Sequence, residues 1–347
     1  MRHAHGSVPY PSGRALRSQG LLATAAGLTV LLAVGCSSAA SPGATVSSTI
    51  TIAAVPGIDT AALYLAERDG IFAADGLTHV VIHDASTEEG ALSAVTKGQA
   101  DIAASDYGTI FYQQSVDPDL RILADGYDAS AGVLEVLTWP NSSVTPGTMA
   151  GDRIGVSDEQ VLPIKSGSDD PVSLDAAAAT QVLTNYLGND AESIVWVPMS
   201  QQQEVAALEA HDLNAAVLSQ PYIYEAESEF GASVVFDACS GSTASLPLTG
   251  YVATDAWVKD HSAVVADFQA AVAKADTDAS MAGEVQKILP NTTGMTVADA
   301  DLSTLGSYPT STSAINLERV VRLMTNFDML KPTQVPSVPP MIVTPGS

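Results

Sequence analysis

Hydrophobic runs of two kinds alternate along the chain from residue 49 onward. Short runs rich in Val, Ile and Ala, such as Thr49–Val55 and Ala100–Ala104, have the length and composition of strands. Between them, segments such as Ala61–Asp69 and Thr87–Lys97 place apolar residues three or four positions apart, which is typical of one face of a helix. Strands that alternate with helices predict an α/β fold in which helices cover mostly parallel sheets.

This alternation is interrupted once and then begins again. A stretch punctuated by Pro and Gly runs from Trp139 to Gly151, and the same order of strands and helices returns after it. We therefore predict two α/β lobes with a cleft between them. The first lobe is formed by residues 49–135 together with 250–330, and the second by residues 136–249.

Two segments should connect the lobes, and a tail should follow them. The connections are predicted near Gly132–Trp139 and Leu248–Thr254. Residues 331–347 contain five prolines. Because proline lacks the backbone donor that a helix interior needs, we expect no helix there, but an extended strap or a disordered tail.

The first 35 residues have the pattern of a targeting segment. Arg2, Arg14 and Arg17 precede an apolar run of 14 residues from Leu21 to Val34, and no acidic residue occurs among them. A helix of that length rises about 21 Å, too little for a hydrocarbon core of about 30 Å. Residues 1–35 therefore predict a signal peptide.

Cys36 follows this segment directly. Leu32-Ala33-Val34-Gly35-Cys36 resembles a bacterial lipobox, in which the Cys is lipidated and becomes the first mature residue, although Ala33 stands where Leu is usual. Ordinary cleavage with an incidental Cys36 is the alternative. Residues 36–48 are mostly Ser, Ala, Thr, Gly, Val and Pro, which predicts a flexible linker. We expect an exported protein anchored to the outer face of the cell membrane.

Charge and cysteine content exclude several functions. The chain has a net charge of −25, and removal of the leader leaves 11 basic against 39 acidic residues, a net charge of −28. Nucleic acids and anionic membrane surfaces attract positive charge, so neither is expected as a partner. If Cys36 is lipidated, Cys239 has no disulfide partner. The scattered His and Cys residues predict no metal, no cofactor and no catalytic residue.

Three fragments together are similar to a known family. They are Ile52-Ala53-Ala54-Val55-Pro56 with Leu63-Tyr64-Leu65-Ala66, then Ala91 to Ile102 (ALSAVTKGQADI), and then Leu213-Asn214-Ala215-Ala216 with Gln220-Pro221-Tyr222. In order and spacing they resemble the SsuA/THI5-like (NMT1) family of periplasmic binding proteins, which includes carriers of alkanesulfonates, nitrate and thiamine precursors. The resemblance implies a type II periplasmic-binding-protein fold, a small-molecule solute between the lobes, and an ABC permease and ATPase as partners of a monomeric receptor.

In an open α/β sheet, ligands bind beyond the carboxyl ends of the strands. That rule selects the loops after five predicted strands. The candidate ligand-binding residues in them are Pro56, Asp59, Thr60, Ser86, Thr87, Glu88, Ser105, Asp106, Tyr107, Ser157, Ser219, Gln220 and Tyr222.

Most of these residues also have a structural interpretation. Asp59 could cap the helix that follows it, and Ser86 with Glu89 matches a capping box. Tyr107 is the preferred contact, because an aromatic ring at a cleft mouth can cover a flat or apolar ligand. Tyr222 could lie either in the cleft or in the core.

The charges in these loops indicate the kind of solute. Asp59, Glu88 and Asp106 are acidic, and the candidate loops contain no Lys or Arg. Helix N-termini favour anions, but a full negative charge at contact distance outweighs them. The sequence therefore favours a neutral or cationic solute over an anionic one.

Two other functions remain open. A lipoprotein of the same fold could sense a solute or serve adhesion without transport, and the sequence does not separate these roles. A remote alternative is an enzyme like the thiamine-pyrimidine synthase branch of the family, which uses a Cys-rich iron motif. With two cysteines and an export signal, this chain is not expected to be an enzyme.

Overall fold

The computed structural model describes residues 49–158 and 173–344. The predicted signal peptide, Cys36, the linker 36–48 and the last three residues of the predicted tail lie outside these ranges.

Within the described ranges, ten strands form two five-stranded sheets. The strands are β1 Thr49–Ala54, β2 His79–Asp84, β3 Ile102–Asp106, β4 Leu120–Asp128, β5 Leu134–Thr138, β6 Arg153–Ser157, β7 Val195–Met199, β8 Ala215–Ser219, β9 Ser233–Asp237 and β10 Pro247–Thr254. The first sheet has the order β2-β1-β3-β10-β4 and the second the order β7-β6-β8-β5-β9. In each sheet the fourth strand runs antiparallel to both neighbours. The two halves of the chain thus repeat one topology.

Helices cover the sheets, as the alternating pattern predicts. They are α1 Ala61–Arg68, α2 Ile71–Ala74, α3 Glu88–Thr96, α4 Tyr107–Val116, α5 Leu174–Leu187, α6 Gln201–Glu209, α7 Tyr222–Phe230, α8 Asp255–Asp260, α9 Ser262–Ala279, α10 Ala282–Thr292, α11 Val297–Leu302 and α12 Ala314–Asn326. Short 3₁₀ turns occupy Pro146–Thr148, Gly188–Ser193, Gly241–Thr243 and Pro339–Met341. The α/β class with two sheets is therefore confirmed.

One hydrophobic core continues from the first sheet into the second. It includes Ala103 and Ile122 of the first sheet, Val136 and Ile154 of the second, and Leu317 of α12, all of them buried. Helix α12 packs against both α4 and α5. Burial of apolar area drives this packing at about 25 cal/mol per Å². It holds the two sheets together on the side of α12.

The chain passes between the sheets at other residues than the sequence predicts. The predicted connections near Gly132–Trp139 and Leu248–Thr254 coincide largely with β5 and β10, each of which pairs within one sheet. The connecting segments are residues 129–133 and 238–246. The sequence does not identify β5 and β10 as strands of a sheet, because each lies between two other strands and runs antiparallel to both. Local sequence does not encode that pairing.

The described part of the C-terminal tail packs against the first sheet. The backbone N–H of Val343 donates to the carbonyl of Ile122 at 2.9 Å, and the side-chain amide of Gln269 donates to the carbonyl of Val343 at 2.8 Å. The tail thus covers the edge strand β4, where unpaired backbone groups would otherwise face solvent. The 3₁₀ turn at Pro339–Met341 corrects the expectation of no helical residues there.

No helix among the described residues combines the length and the apolar composition that a membrane span requires.

Candidate functional site

A cavity of about 290 Å³ lies at the carboxyl ends of the strands of both sheets. The first sheet contributes the loop after β1, the start of α3 and the ends of β3 and β4. The second contributes the ends of β6 and β8 and the starts of α5, α6 and α7. The described lining residues are Val55, Pro56, Gly57, Ile58, Asp59, Glu88, Asp106, Tyr127, Val133, Leu134, Ser157, Leu174, Asp175, Gln201, Ser219, Gln220, Pro221, Tyr222, Leu248, Thr249, Thr293, Met295 and Thr304.

The structure brings most of the predicted site residues together around this cavity. Those that line it are Pro56, Asp59, Glu88, Asp106, Ser157, Ser219, Gln220 and Tyr222. The predicted residues that do not line it are Thr60, Ser86, Thr87, Ser105 and Tyr107. Each of these five either stabilises a loop or helix near the cavity, belongs to the core, or faces solvent.

Tyr107, the preferred ligand contact, belongs to the core instead. Its side chain is fully buried, its ring stacks on Phe111 at 5.6 Å, and its hydroxyl donates to Asp125 Oδ1 at 2.9 Å. As the first residue of α4, Tyr107 packs against the sheet, where Gly250 of β10 leaves room for its ring. The expectation that Tyr107 covers a ligand at the cleft mouth is corrected by this placement.

Thr60 and Ser105 hold the loops that carry the lining residues. The Thr60 hydroxyl accepts from the Gly57 N–H at 3.0 Å and donates to the Val55 carbonyl at 2.7 Å, which fixes the turn after β1. The Ser105 hydroxyl donates to the Glu88 carbonyl at 3.3 Å. Both residues act on the site through the backbone.

The cap of α3 lies one residue later than predicted. Thr87, rather than Ser86, is the N-cap, and its hydroxyl accepts from the Gly90 N–H at 3.0 Å. Both residue types are good caps, so the sequence pattern does not choose between them. Ser86 is exposed, and the shift places Glu88, the first residue of the helix, in the cavity wall.

Among the described residues, four with carboxyl groups line the cavity: Asp59, Glu88, Asp106 and Asp175. None of the described lining residues is Lys, Arg or His. Asp59 Oδ2 accepts from the Thr249 hydroxyl at 2.7 Å, and Glu88 Oε2 accepts from the backbone N–H of Asp106 at 3.1 Å. These contacts position the carboxyls but supply no positive charge.

Burial raises the pKa of each of these carboxyls. It raises the pKa of Asp106 to about 6 and that of Asp175 to about 7. The pKa of Glu88 lies well above its usual value because of burial and the charges of Asp59 and Asp106. Burial also raises the pKa of Asp59, against its hydrogen bond from Thr249. Like charges in a buried site favour the protonated forms, whereas a positive charge among them would favour ionisation.

Two acceptor atoms at the cavity have no hydrogen-bond partner within the described protein. Asp106 caps α4 with Oδ1, which accepts from the Thr109 N–H at 2.9 Å, and its Oδ2 is left buried and unpaired. Gln220 Oε1, on the loop after β8, is also buried and unpaired. Buried acceptors are normally satisfied, so both atoms require an explanation.

Several lining residues were missed in the sequence. Asp175 lies in the first turn of α5 behind the N-cap Ser173, a pattern that indicates only a helix start. Tyr127 lies at the far end of the long strand β4, where its hydroxyl accepts from the Gly306 N–H at 2.5 Å and its ring contacts Tyr308. Tyr127 and Tyr222 supply the aromatic surface that Tyr107 was expected to provide.

Gln201 is a further residue that the sequence did not single out. Its side-chain carbonyl accepts from the Ser219 N–H at 2.8 Å, and its amide donates to the Ser219 hydroxyl at 2.9 Å. The start of α6 is thereby tied to the end of β8, next to Gln220. No local motif signals this pairing, because the two residues meet only when β8 lies beside β6.

Solved structures of the same fold include several binding proteins. The periplasmic aliphatic sulphonate binding protein SsuA from Escherichia coli is similar with a TM-score of 0.66 and 16% identity, over 86% of this chain and 93% of that chain. The alkanesulfonate-binding protein SsuA from Xanthomonas axonopodis pv. citri, bound to MOPS, gives a TM-score of 0.64 and 15% identity, over 85% and 98%. The periplasmic nitrate-binding protein NrtA from Synechocystis gives 0.55 and 14%, over 72% and 68%. At these identities the likeness shows the fold.

The family is shown by sequence. Among curated proteins no sequence matches this chain. The family model described as NMT1/THI5 like matches residues 58–282, which is more than half of the chain and contains segments of both sheets. This chain therefore belongs to the NMT1/THI5-like family and has the periplasmic-binding-protein fold that its resemblance to that family implied.

Proposed function

We propose that this chain is an extracytoplasmic solute-binding protein that captures a small organic molecule and delivers it to an ABC importer. The observation that carries the proposal is the cavity at the strand ends of both sheets, with walls drawn from each. Its volume of about 290 Å³ suits a small metabolite. Two sheets joined by the segments 129–133 and 238–246 can close on a solute by a hinge motion.

We further propose that the solute is neutral or cationic. The structural relatives from Escherichia coli and Xanthomonas are named for binding sulfonates, which are anions. The described residues give the walls of this cavity four carboxyls and no Lys, Arg or His. A carboxylate about 4 Å from an anion repels it by about 4 kcal/mol at an effective dielectric of about 20. A helix N-terminus offers about 0.3–1 kcal/mol, too little to compensate.

A solute screen by thermal shift tests the binding role. We expect amines or neutral heterocycles, but not alkanesulfonates, to raise the melting temperature. A solute at about 100 times its Kd should add about 2.7 kcal/mol to the free energy of unfolding. Small-angle scattering of the same complex should give a smaller radius of gyration. A bound solute that leaves the radius unchanged would contradict hinge closure, and selective binding of a sulfonate would contradict the charge preference.

The proposed anchor is Cys36, which lies outside the described residues. We expect Cys36→Ser to move the protein from the membrane fraction to the medium, because a chain with a net charge of −25 is not attracted to an anionic membrane surface and depends on covalent lipid for attachment. Immunoblots of the two fractions measure the shift, and Cys239→Ser is the matched control. A wild-type protein that is already soluble and starts downstream of Cys36 would contradict lipidation.

A further inference from the structure

Asp106 and Gln220 occupy matching places in the two sheets. Asp106 ends β3, the central strand of the first sheet, and Gln220 directly follows β8, the central strand of the second. Both line the cavity. The two residues therefore bring a polar side chain from each sheet to the wall of the same cavity.

Each of the two residues has one buried oxygen without a partner in the described protein. Asp106 is only 3% exposed, its Oδ1 caps α4, and its Oδ2 is buried without a hydrogen-bond partner. The other unpaired oxygen is Gln220 Oε1. A carboxylate oxygen and an amide oxygen can only accept, so both call for a hydrogen-bond donor.

The charges around these two atoms favour a donor that is also positive. Asp59 and Glu88 from the first sheet and Asp175 from α5 line the same cavity as Asp106. Hydrogen bonds from a charged donor to a carboxylate are stronger than those between neutral groups. Tyr127 and Tyr222 also line the cavity, and aromatic rings there can make cation–π interactions with a bound cation.

Resting on the proposed solute-binding role, we infer that the solute is an organic cation whose charged group carries N–H donors, one to Asp106 Oδ2 and another to Gln220 Oε1. An amidinium, a guanidinium or a primary ammonium has this chemistry. Because the two acceptors come from different sheets, the charged group joins the two halves of the site.

A metal ion fits these residues less well than an organic cation. Calcium or zinc needs several ligand atoms at about 2.0–2.6 Å from one point. Among residues 49–158 and 173–344, no three acidic, His or Cys side chains have that arrangement. The carboxyls instead line a cavity of about 290 Å³, which accommodates a molecule of several carbon atoms.

Binding of a cation should release protons from the site. Among the described residues, the acidic groups that line it are Asp59, Glu88, Asp106 and Asp175, whose pKa values burial raises. A bound positive charge lowers these pKa values, so the affinity for a cation should increase as pH rises from about 5 to about 8, by about tenfold per pH unit for each proton released. The affinity for a neutral isostere should change little over this range.

Calorimetry with three monosubstituted benzenes that differ in charge tests the inference. Benzamidine is the cation, benzamide its neutral isostere and benzenesulfonate the anion. We expect benzamidine to bind at least about tenfold more tightly than either of the others, the ratio of a charged to a neutral hydrogen bond. Asp106→Asn, which keeps the N-cap of α4, should weaken benzamidine about tenfold and benzamide by clearly less, because only benzamidine loses an ion pair.

Two further variants complete the test. Gln220→Met, which keeps the length of the side chain but removes its amide, should weaken benzamidine a few-fold. Glu89→Gln, next to Glu88 but exposed, should have no effect. Circular dichroism confirms that each variant is folded. Tighter binding of benzamide, benzenesulfonate or zinc, an unchanged affinity in Asp106→Asn, or no benzamidine binding at millimolar concentration would overturn the inference. The thermal-shift screen tests solute binding independently of that outcome.

Discussion

Replacing Gly250 by Ala should lower the free energy of unfolding by about 3 kcal/mol, the upper end of what overpacking of a core usually costs. Gly250 lies on β10 opposite Ser105 of β3. A Cβ atom at this position would lie 2.5 Å from Tyr107 Cζ and closer still to the hydroxyl oxygen. The ring cannot retreat easily, since it is fully buried, stacks on Phe111 and donates its hydroxyl to Asp125.

Urea denaturation of the purified variant measures this loss. Gly283→Ala is the matched control, because a Cβ there meets no atom within 4 Å and the residue lies in α10. It should change stability by no more than about 1 kcal/mol, and in the stabilising direction. In the background of Tyr107→Leu, which removes the ring atoms nearest to Gly250, Gly250→Ala should cost much less. A loss below about 1 kcal/mol in the wild-type background would show that the core yields at this point.

Tyr107 and Gly250 also show which features of the site the sequence does not determine. The rule that ligands bind beyond strand ends correctly places Asp106 and Gln220 at the cavity, because it needs only the ends of β3 and β8. It does not determine which way Tyr107 turns. That direction depends on the space left by Gly250, which lies on β10, a strand that comes after all strands of the second sheet in the sequence.

The fold shows a similar division. Helices α1 and α3 could be predicted to within one residue, because the apolar spacing and the caps are local; they lie within the predicted segments Ala61–Asp69 and Thr87–Lys97. Strands β5 and β10 could not be recognised as strands of particular sheets, since their antiparallel pairing is set by neighbours distant in sequence. Asp175 was missed for the same reason, because only the folded chain places the start of α5 at the cavity.

Acidity should stabilise the solute-free protein over a range in which many proteins lose stability. We expect the melting temperature to be higher at pH about 5 than at pH about 8. A carboxyl whose pKa is raised in the folded state keeps its proton there at pH values where the unfolded chain has lost it. The folded state then binds more protons than the unfolded one, so the free energy of unfolding falls as pH rises from about 4 to about 7.

The carboxyls that define this range are those with raised pKa values. Burial raises the pKa of Asp106 to about 6, of Asp128 to about 6 and of Asp175 to about 7, each from 3.8. A shift of one pKa unit corresponds to about 1.4 kcal/mol, so the rise of the Asp106 pKa from 3.8 to about 6 alone changes the free energy of unfolding by about 3 kcal/mol between low and high pH. Asn does not titrate, so in Asp106→Asn this position no longer contributes to the difference in bound protons between the folded and unfolded states. The melting temperature of this variant should therefore depend less on pH.

Thermal melts from pH about 5 to about 8 at constant ionic strength test this expectation. Charge repulsion across so acidic a protein also grows with pH. The variant Glu89→Gln separates this repulsion from the effect of burial, because the substitution removes one negative charge from an exposed position. The pH dependence of Glu89→Gln should match that of the wild type, whereas Asp106→Asn should flatten it. A melting temperature that rises from pH 5 to pH 8 would contradict the expected pH dependence. Equal slopes in the two variants would show that Asp106 does not contribute to it. Saturating benzamidine should also flatten the wild-type slope, since a cation in the cavity stabilises the carboxylates that the empty site keeps protonated.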